Sequence, residues 1–384
     1  MKPFLYNMDY VNSQSEKKLF TVVSMFAGGG GSSTGYRLSG GNVLAINEFI
    51  DSAQETYNAN YPNTYIFKED IRKLNGEMIL NKIGLKKGEL DIFDGSPPCS
   101  SFSTIGAKEK MWGKVKKYSD SEQITDDLFF EFARILKELQ PKVFVCENVK
   151  GITMGESSKL LGSSQFDLFN VQDNTILNSL INAGYNVRYK VLNAKYFNVP
   201  QSRERTIFIG VRKDIKKEIT YPKSLTDIVS LGDALNDERC ILMNEKEFNE
   251  NSPMKVLQNI NCFRITNEKI DINKRYKIIR HGISAGYENR SNEDKIFVNS
   301  DINVSPTILA SYKGLSSGLV ELEYENGDRV LRKLSINELK ILCSFPIDYN
   351  LLGSYAKQWE RLGRAVPPLM MKHISEHIYN TILK

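Results

Sequence analysis

The sequence predicts an α/β protein built on a doubly wound, mostly parallel sheet, with a smaller and irregular second domain. From Phe20 to about Val211, short apolar runs alternate with longer amphipathic or polar stretches, which is the pattern of strands joined by crossover helices. A glycine-rich turn at Phe26–Gly31 follows the first run directly, as in many open α/β sheets. From about Ile215 to Val304 the alternation stops and the sequence becomes polar, which predicts a separate domain.

Composition excludes several classes of protein. The 384 residues are enough to bury a full hydrophobic core. The 51 Lys and Arg against 46 Asp and Glu give a net charge of +5, a slight excess that is compatible with nucleic-acid binding without requiring it. No apolar run is long enough to cross a membrane, and Met1–Lys18 lacks the apolar core of a signal peptide. A cytoplasmic location with no membrane partner is therefore expected.

The cysteines predict free thiols. Their number, five, is odd and their spacing is wide, which favours neither disulfides nor a metal site. Cys99 differs from the rest because Pro97 and Pro98 precede it and polar residues follow it. The other four are interpreted as small buried hydrophobic residues: Cys146, Cys240, Cys262 and Cys343.

Seven apolar runs are predicted to be strands of the large sheet. The last two are separated by too few residues for a crossover helix, so they are expected to pair antiparallel at the sheet edge. In chain order the runs are Phe20–Phe26, Val43–Ile46, Tyr65–Phe67, Leu90–Phe93, Val143–Cys146, Val187–Leu192 and Thr206–Val211.

Three amphipathic segments predict helices, and the last two suggest how the domains are arranged. The segments are Asp127–Leu139, Ser335–Ser344 and Leu369–Ile382. In the second of them, Ser335 and Glu338 have the spacing of a capping box. Because these helices follow the irregular stretch, the large domain is expected to resume after it. The predicted borders are 17–214 for the first part of the large domain, 215–304 for the small domain and 305–384 for the return segment.

Acidic residues follow two of the predicted strands. Glu48 follows the second run, where a carboxylate can accept hydrogen bonds from both hydroxyls of a ribose. Asp70 follows the third run and is placed to accept a hydrogen bond from an adenine amino group. With the glycine-rich turn they predict an adenosine-containing cofactor. They do not distinguish NAD from S-adenosylmethionine.

A nucleophile, a carboxyl group and two arginines also follow predicted strands. The two prolines before Cys99 fix the backbone and exclude helix, so the thiol is presented rigidly at a strand end. Glu147 follows the run that ends at Cys146, and Arg203 and Arg205 lie just before the last run. Open α/β sheets build their sites at strand ends, so these groups are candidates for nucleophilic catalysis. The alternative for Glu147 and the arginines is an ordinary surface salt bridge or exposed turn.

Taken together, these segments resemble the cytosine-C5 DNA methyltransferases. Each segment alone is weakly specific, whereas their joint occurrence in the family's usual order, at both ends of the chain, is highly specific. The matching segments are Phe26-Ala27-Gly28 with Gly30-Gly31, Glu48-Phe49, Asp70-Ile71, Gly95-Ser96-Pro97-Pro98-Cys99, Asp127-Leu128-Phe129-Phe130-Glu131 with Arg134, Glu147-Asn148-Val149, Gln201-Ser202-Arg203-Glu204-Arg205, Ser305-Pro306-Thr307, Arg332-Lys333-Leu334-Ser335, Ser344-Phe345-Pro346 and Gly363-Arg364-Ala365-Val366-Pro367-Pro368.

The resemblance implies the Rossmann-like fold of methyltransferases that depend on S-adenosylmethionine, with that cofactor and no metal. It implies four catalytic residues: Cys99, Glu147, Arg203 and Arg205. It also implies a set of residues that bind the cofactor: Phe26, Gly28, Gly30, Gly31, Glu48, Phe49, Asp70, Ile71, Pro97 and Leu128.

The implied reaction is covalent, because cytosine C5 is a poor nucleophile until a thiolate adds at C6. Cys99 is expected to add there, Glu147 to bind N3 and the exocyclic amino group, and Arg205 to hold O2. A base then removes the C5 proton, and a water or a side chain fits that role equally well. The target base must be flipped out of the duplex. The polar segment after Cys99 is expected to close over DNA through Lys108, Lys110, Trp112, Lys114, Lys116 and Lys117.

The sequence departs from the family pattern at a few positions. Ser24 stands where the family usually has Asp or Asn, and Ser96 and Ser100 replace the commoner Gly and Gln around the nucleophile. Arg364 stands where the family usually has an Asn beside the cofactor and target base. A long cation there would either alter the contacts with the methyl donor or point outward.

The resemblance implies a target recognition domain in residues 215–304 and duplex DNA as the partner. Within that domain, Arg280, His281 and Arg290 are candidates for DNA contacts, with a solvated loop as the alternative. A cognate restriction endonuclease is the further partner if the chain belongs to a restriction–modification system, and a solitary methylase would have none. A monomer in a bacterial cytoplasm is expected. The alternatives are the tRNA-methylating branch of the family and a catalytically silent DNA-binding relative.

Overall fold

The computed structural model describes residues 2–98, 116–118, 121–123, 125, 127–153, 175–239, 275–282, 297–310 and 318–384. These residues belong to two compact units. The large-sheet unit comprises residues 9–193, 204–223 and 370–384, and the small-sheet unit comprises residues 1–8, 194–203 and 224–369. Both units are therefore assembled from segments that are distant along the chain.

Each of the seven predicted apolar runs forms a strand of the large sheet. The strands from residue 20 to residue 212 are β1 (Phe20–Met25), β2 (Gly41–Asn47), β3 (Tyr65–Phe67), β4 (Ile92–Gly95), β5 (Lys116–Tyr118), β6 (Ser121–Gln123), β7 (Val143–Val149), β8 (Tyr185–Asn193) and β9 (Glu204–Arg212). The order in the large sheet is β3-β2-β1-β4-β7-β9-β8, and β5 and β6 form a separate antiparallel pair.

The strand order reverses between β1 and β4. The five adjacent strands β3, β2, β1, β4 and β7 are parallel to one another, whereas β9 runs antiparallel to both of its neighbours, β7 and β8. The antiparallel pairing of the last two predicted strands is thus confirmed. From β1 the chain first builds outward through β2 and β3, then returns to the other side of β1 with β4. Such a reversal leaves a crevice at the carboxyl ends of β1 and β4, where open α/β sheets bind ligands.

Helix α5 (Leu128–Leu139) shows how the sequence packs a helix against this sheet. Phe129, Phe132 and Leu136 recur at helical spacing and are buried in the core. The ring of Phe132 stacks on Phe93 of β4, with centroids 4.7 Å apart. Gly95 makes this approach feasible, because a Cβ there would lie 2.6 Å from the Phe132 ring.

The helices in the described residues include the three that the sequence predicts, and 3-10 turns at Ile71–Lys73, Lys150–Thr153 and Ala194–Phe197 connect further elements. The last helix continues as a π-helical turn at Tyr379–Leu383. The helices are α1 (Met8–Ser15), α2 (Gly31–Leu38), α3 (Asp51–Asn60), α4 (Gly76–Ile83), α5 (Leu128–Leu139), α6 (Ile176–Asn182), α7 (Leu231–Leu235), α8 (Ile336–Leu342), α9 (Tyr355–Arg364) and α10 (Pro368–Ile378).

The small-sheet unit contains an antiparallel sheet of order β11-β10-β12-β13. The predicted capping box is confirmed at the start of α8: Ser335 Oγ accepts from Glu338 N at 3.0 Å, and Glu338 Oε2 accepts from Ser335 N at 2.7 Å. The strands are β10 (Tyr276–Gly282), β11 (Phe297–Asn299), β12 (Leu319–Tyr324) and β13 (Arg329–Lys333).

The sequence did not predict β12 and β13, which lie in the segment assigned to the return of the large domain. Residues 305–369 belong to the same compact unit as residues 224–304. Glu321 and Glu323 make the β12 sequence look polar, although Glu321 is buried against Arg280. The assignment of residues 215–304 to target recognition stays a prediction. Within the described residues, no helix is both long enough and apolar enough to span a membrane.

Candidate active site at the carboxyl edge of the large sheet

The glycine-rich turn after β1 has an unusual backbone. Phe26 and Gly28 both have φ of 55°, and Gly30, the residue before α2, has φ of 93°. Glycine adopts this left-handed region readily, whereas a phenylalanine there is strained and must be held by its surroundings. Apart from Gly28 and its two chain neighbours, no atom of the described residues lies within 4 Å of the position that a Cβ would take on Gly28. The turn therefore leaves open space next to its backbone.

Glu48 follows β2 and supports this turn. Its buried carboxylate accepts a hydrogen bond from Gly28 N at 2.7 Å and another from Ile50 N at 2.8 Å. The two bonds hold the carboxylate beside the backbone of the turn, at the strand end where nucleotide-binding sheets place the acceptor for ribose hydroxyls. The neighbouring Phe49 is 42% exposed, which is a large apolar surface for a ring at a strand end. The two residues together combine a hydrogen-bond acceptor with a stacking surface.

Asp70 is held by Arg72. Its carboxylate caps the 3-10 turn by accepting from Arg72 N at 2.9 Å, and it pairs with the Arg72 guanidinium at 2.8 Å. The same guanidinium pairs with Asp127, at the start of α5. Ile71 and Leu128 are buried directly beside these groups in sequence. Arg72 thus links the segment after β3 to the start of α5, at the sheet edge where the sequence predicts that the adenine binds.

The segment after β4 leads towards the predicted nucleophile. Pro97 is buried, and its carbonyl accepts a hydrogen bond from Asn148 Nδ2 at 3.4 Å. Asn148 therefore connects the end of β7 to this segment. Cys99 lies outside the described residues, as do four members of the predicted closing segment: Lys108, Lys110, Trp112 and Lys114. Lys116 and Lys117 lie in β5, where the backbone alone is described.

Glu147 and Arg205 form an ion pair at the ends of β7 and β9. Glu147 Oε1 lies 2.7 Å from Arg205 Nε, and the two side chains are 10% and 12% exposed. The antiparallel register places Val149 opposite Arg205, which brings the arginine alongside the glutamate from the neighbouring strand. The structure therefore brings together two of the four predicted catalytic residues, and it does so with little solvent around them. Such a pair offers a fixed acceptor and fixed donors side by side.

Arg203 has different contacts. It belongs to the small-sheet unit, is 2% exposed, and donates to the carbonyl oxygens of Ile308 at 3.1 Å and Gly363 at 3.0 Å. Gln201 donates to the Leu342 carbonyl at 3.2 Å and accepts from Ile308 N at 3.1 Å. The segments around residues 201, 308 and 363 are thus joined by hydrogen bonds from the Arg203 and Gln201 side chains to backbone groups. The catalytic role predicted for Arg203 stays a prediction.

Gly363 shows how close these segments approach. A Cβ on Gly363 would lie 2.3 Å from the Leu309 carbonyl oxygen, so glycine alone fits there. The neighbouring Arg364 pairs with Glu360, one helical turn earlier, with Nε and Oε1 2.9 Å apart. Its guanidinium is therefore engaged by a carboxylate of its own helix.

The three candidates for DNA contacts in the small-sheet unit differ in their surroundings. Arg280 of β10 pairs with Glu321 of β12, directly opposite in the register. His281 is buried, and burial lowers its pKa to about 4, so the imidazole is neutral at physiological pH. Arg290 lies outside the described residues.

Sequence reasoning missed Asp94, the most deeply buried acidic group near the site. Asp94 is 1% exposed and accepts hydrogen bonds from Ser24 Oγ at 2.6 Å and Tyr36 Oη at 3.0 Å. Burial raises its pKa to about 7. The signal was present, because a carboxyl group directly follows the apolar run Leu90–Phe93 and precedes the Pro-Pro-Cys segment. The predicted strand ends at Phe93, whereas β4 extends over Asp94 to Gly95.

The chain was compared with known proteins. The model of the family described as C-5 cytosine-specific DNA methylase matches residues 20–380. Type II methyltransferase M1.HphI of Haemophilus parahaemolyticus is 30% identical over 369 residues, which cover 93% of this chain and 86% of that protein. Type II methyltransferase M.DdeI of Desulfomicrobium norvegicum is 28% identical over 401 residues, which cover 93% and 88%.

Solved structures agree in fold. A crystal structure of a Spodoptera frugiperda DNMT2 variant aligns with a TM-score of 0.57 and 18% identity, covering 95% of this chain and 100% of that one. At this identity the likeness concerns the fold, which is the methyltransferase fold that the sequence predicts. The family match extends from β1 to α10 and its π-helical extension. The chain belongs to the C-5 cytosine-specific DNA methylase family.

Proposed function

We propose that this chain transfers the methyl group of S-adenosylmethionine to C5 of a flipped-out cytosine in a specific duplex DNA sequence, through a covalent bond between Cys99 and C6. The observation that carries the proposal is the Glu147–Arg205 pair, 2.7 Å apart, at the carboxyl edge of the large sheet. The Asn148 hydrogen bond to Pro97 supports it, because it ties the same strand end to the segment that leads into Cys99.

The residues at the ends of β1, β2 and β3 fit an adenosine-containing methyl donor. Gly28 borders open space, the Glu48 carboxylate is held next to it and would accept from ribose hydroxyls, and Phe49 offers an exposed ring for stacking. Asp70 and Ile71 would face the adenine, and Phe26, Gly30, Gly31, Pro97 and Leu128 would complete the site. When bound, the donor supplies an electrophilic sulfonium methyl group.

The chain's own residues would activate the base. The Cys99 thiolate forms a bond to C6, and the electron pair of the C5–C6 double bond is pushed towards N3 and O2 of the ring. Glu147 would contact N3 and the exocyclic amino group and supply a proton at N3. The Arg205 guanidinium would donate to O2, where negative charge develops. Once C5 carries the methyl group, a water or a side chain takes the C5 proton, and the electrons of that C–H bond re-form the C5–C6 double bond as the Cys99–C6 bond breaks. This restores the free thiolate, and the N3 proton returns to Glu147.

Partners follow from the same chemistry. The base must leave the duplex to reach Cys99, and the lysine-rich segment after it would close on the DNA phosphates. Residues 215–304 would read the DNA sequence. Two relatives, M1.HphI and M.DdeI, are Type II methyltransferases. By analogy the chain would modify DNA in the cytoplasm of a bacterium, as a monomer, with a cognate restriction endonuclease in the same system.

Methyl transfer to defined substrates tests the proposal. The full chain is incubated with labelled S-adenosylmethionine and either duplex DNA containing many sequences or a tRNA pool, and the methylated nucleoside is identified by mass spectrometry. 5-Methylcytosine in the DNA alone would support the proposal. Label in the tRNA alone would assign the chain to the tRNA-methylating branch. Bound cofactor with label in neither substrate would indicate a silent relative.

A further inference from the structure

Asp94 is a buried carboxylate that the proposed reaction does not use. Oδ2 accepts from Ser24 Oγ at 2.6 Å and Oδ1 accepts from Tyr36 Oη at 3.0 Å. The backbone N–H of Gly95 is a third donor. Ser24 and Tyr36 are fully buried, and Asp94 itself is 1% exposed. Three donors around one carboxylate form a closed polar cluster inside the core, which we call the Asp94 cluster.

The Asp94 cluster connects the elements that carry both halves of the site. Ser24 is the register partner of Asp94 across β1 and β4, two residues before the strained Phe26. Tyr36 lies in α2, the helix that begins where the glycine-rich turn ends. Asp94 itself lies on the strand that leads into Cys99. The carboxylate therefore joins the turn proposed to bind the methyl donor to the strand proposed to position the nucleophile.

The geometry suits the ionised form of Asp94. A carboxylate accepts all three hydrogen bonds, whereas a protonated carboxyl group adds a donor to a site that already holds three. Titratable groups face Asp94 from two other elements: Tyr36 on α2, and Cys146 and Glu147 on β7. Burial and the nearby Glu147 carboxylate oppose ionisation, while the bonds from Ser24 and Tyr36 favour it. The balance places the pKa at about 7, within the physiological range.

We propose that Asp94 is a positioning residue, which couples the glycine-rich turn to β4, the strand that leads into Cys99. This coupling is stronger when Asp94 is ionised. The inference rests on the proposed function, because it assigns the glycine-rich turn to S-adenosylmethionine. The inference predicts that binding of S-adenosylmethionine or its product at the glycine-rich turn favours the ionised form of Asp94. Affinity for the ligand should therefore rise with pH through the titration of this group and level off above it.

The test is the dissociation constant of S-adenosylhomocysteine, measured calorimetrically from pH 6 to pH 8.5 in the full chain. Wild type is compared with Asp94→Asn, which keeps the shape of the side chain and removes its titration. Because the ligand's own amino group titrates identically in both experiments, the ratio of the two affinities isolates Asp94. We expect that ratio to change on the order of fivefold across the range, which is the lower end of ordinary coupling between sites.

A second variant separates a titrating role from a merely structural one. Tyr36→Phe removes a hydrogen bond that stabilises the ionised form, so the midpoint of the pH dependence should move to higher pH while the step itself persists. Ser375→Ala is the matched control, because Ser375 also forms a buried 2.6 Å hydrogen bond, with Ser39, but does not contact the Asp94 cluster. Its midpoint should equal that of wild type.

A ratio that stays constant with pH would overturn the inference, and so would a midpoint that Tyr36→Phe leaves in place. If Asp94→Asn does not fold, the Tyr36→Phe midpoint decides alone. Failure of the wild type to bind S-adenosylhomocysteine at every pH would contradict the proposed function itself and remove the basis of the inference. Binding that is tight but independent of pH contradicts the inference alone.

Discussion

An arginine at the carboxyl edge of the large sheet and an arginine inside the small-sheet unit have different partners. Arg205, at the sheet edge, pairs with a carboxylate that lies at a strand end, and both groups keep some exposure. Arg203, two positions earlier, is buried and donates to backbone carbonyls of Ile308 and Gly363. One motif thus supplies two arginines with different partners, a carboxylate for Arg205 and backbone carbonyls for Arg203. The partner of each arginine, rather than its place in the motif, indicates its role.

The largest expected effect concerns Glu147. Glu147→Gln removes the carboxylate that would contact N3 and leaves Arg205 without its charged partner. We expect the rate of methyl transfer in a single turnover to fall by about 10²- to 10⁴-fold, the range for loss of a general acid or base. The folded fraction, followed by circular dichroism, serves as the control. A rate within threefold of wild type in a fully folded variant would contradict the role of Glu147.

The two arginines provide the sharpest contrast. Arg205→Lys keeps the charge but loses the planar guanidinium, so we expect a loss of about 10²-fold in methyl transfer with little change in stability. The measurement combines single-turnover kinetics with urea unfolding of the same preparation. If Arg205→Lys instead destabilised the protein and left the folded enzyme active, Arg205 would be a structural residue.

Arg203→Lys should give the opposite result. A lysine ammonium does not reach both carbonyls as the guanidinium does, and one buried carbonyl then loses its donor. We expect unfolding to become easier by about 1–3 kcal/mol, the cost of leaving a buried polar group unsatisfied. The folded variant should keep methyl transfer within about tenfold. A large kinetic loss without destabilisation would place Arg203 among the catalytic residues after all.

Glu48 should affect the cofactor rather than the chemical step. Glu48→Gln lacks the second acceptor oxygen that now binds Gly28 N or Ile50 N. We expect S-adenosylhomocysteine to bind about tenfold more weakly, corresponding to one charged hydrogen bond of about 1.5 kcal/mol. Calorimetry at one pH measures this, and the maximal rate at saturating cofactor should change little. Unchanged affinity would remove Glu48 from the proposed cofactor site.

The smallest effect is expected far from the chemistry, at the start of α8. Ser335→Ala removes the side-chain half of the capping box, so we expect a loss of about 1 kcal/mol in the free energy of unfolding and no change in methyl transfer. Urea unfolding measures the first quantity. A kinetic defect at saturating substrates would show that the small-sheet unit influences the reaction more directly than proposed.

Hydrophobic periodicity and short-range residue spacing predicted those parts of the fold that depend on residues close together in the sequence. The seven strands, the antiparallel final pair and the Ser335 capping box depend on hydrophobic periodicity and short-range spacing, and all are found in the structure. Strand β12 was missed because Glu321 interrupts its apolar pattern, and the partner that neutralises it, Arg280, lies far away along the chain.

The candidate site was predictable in outline and not in its supporting contacts. Motif spacing placed Glu147 and Arg205 in one site, and the structure pairs them. The resemblance gave Arg205 the contact with O2, but the buried contacts of Arg203 were not predictable, since they are made with backbone carbonyls supplied by remote segments. Asp94 was missed for the same reason, because the hydroxyls of Ser24 and Tyr36 reach it only once β1, α2 and β4 have assembled.

Covalent trapping on DNA tests the proposed mechanism most directly. The full chain and S-adenosylmethionine are incubated with duplex DNA in which 5-fluorocytosine replaces cytosine, because fluorine at C5 prevents the final elimination. Wild type should form an adduct that survives denaturation, Cys99→Ala should form none, and Cys146→Ala, which removes a buried thiol of the sheet core, should still form it. An adduct that persists in Cys99→Ala, or that forms on similarly substituted RNA but not on DNA, would contradict the mechanism or its substrate.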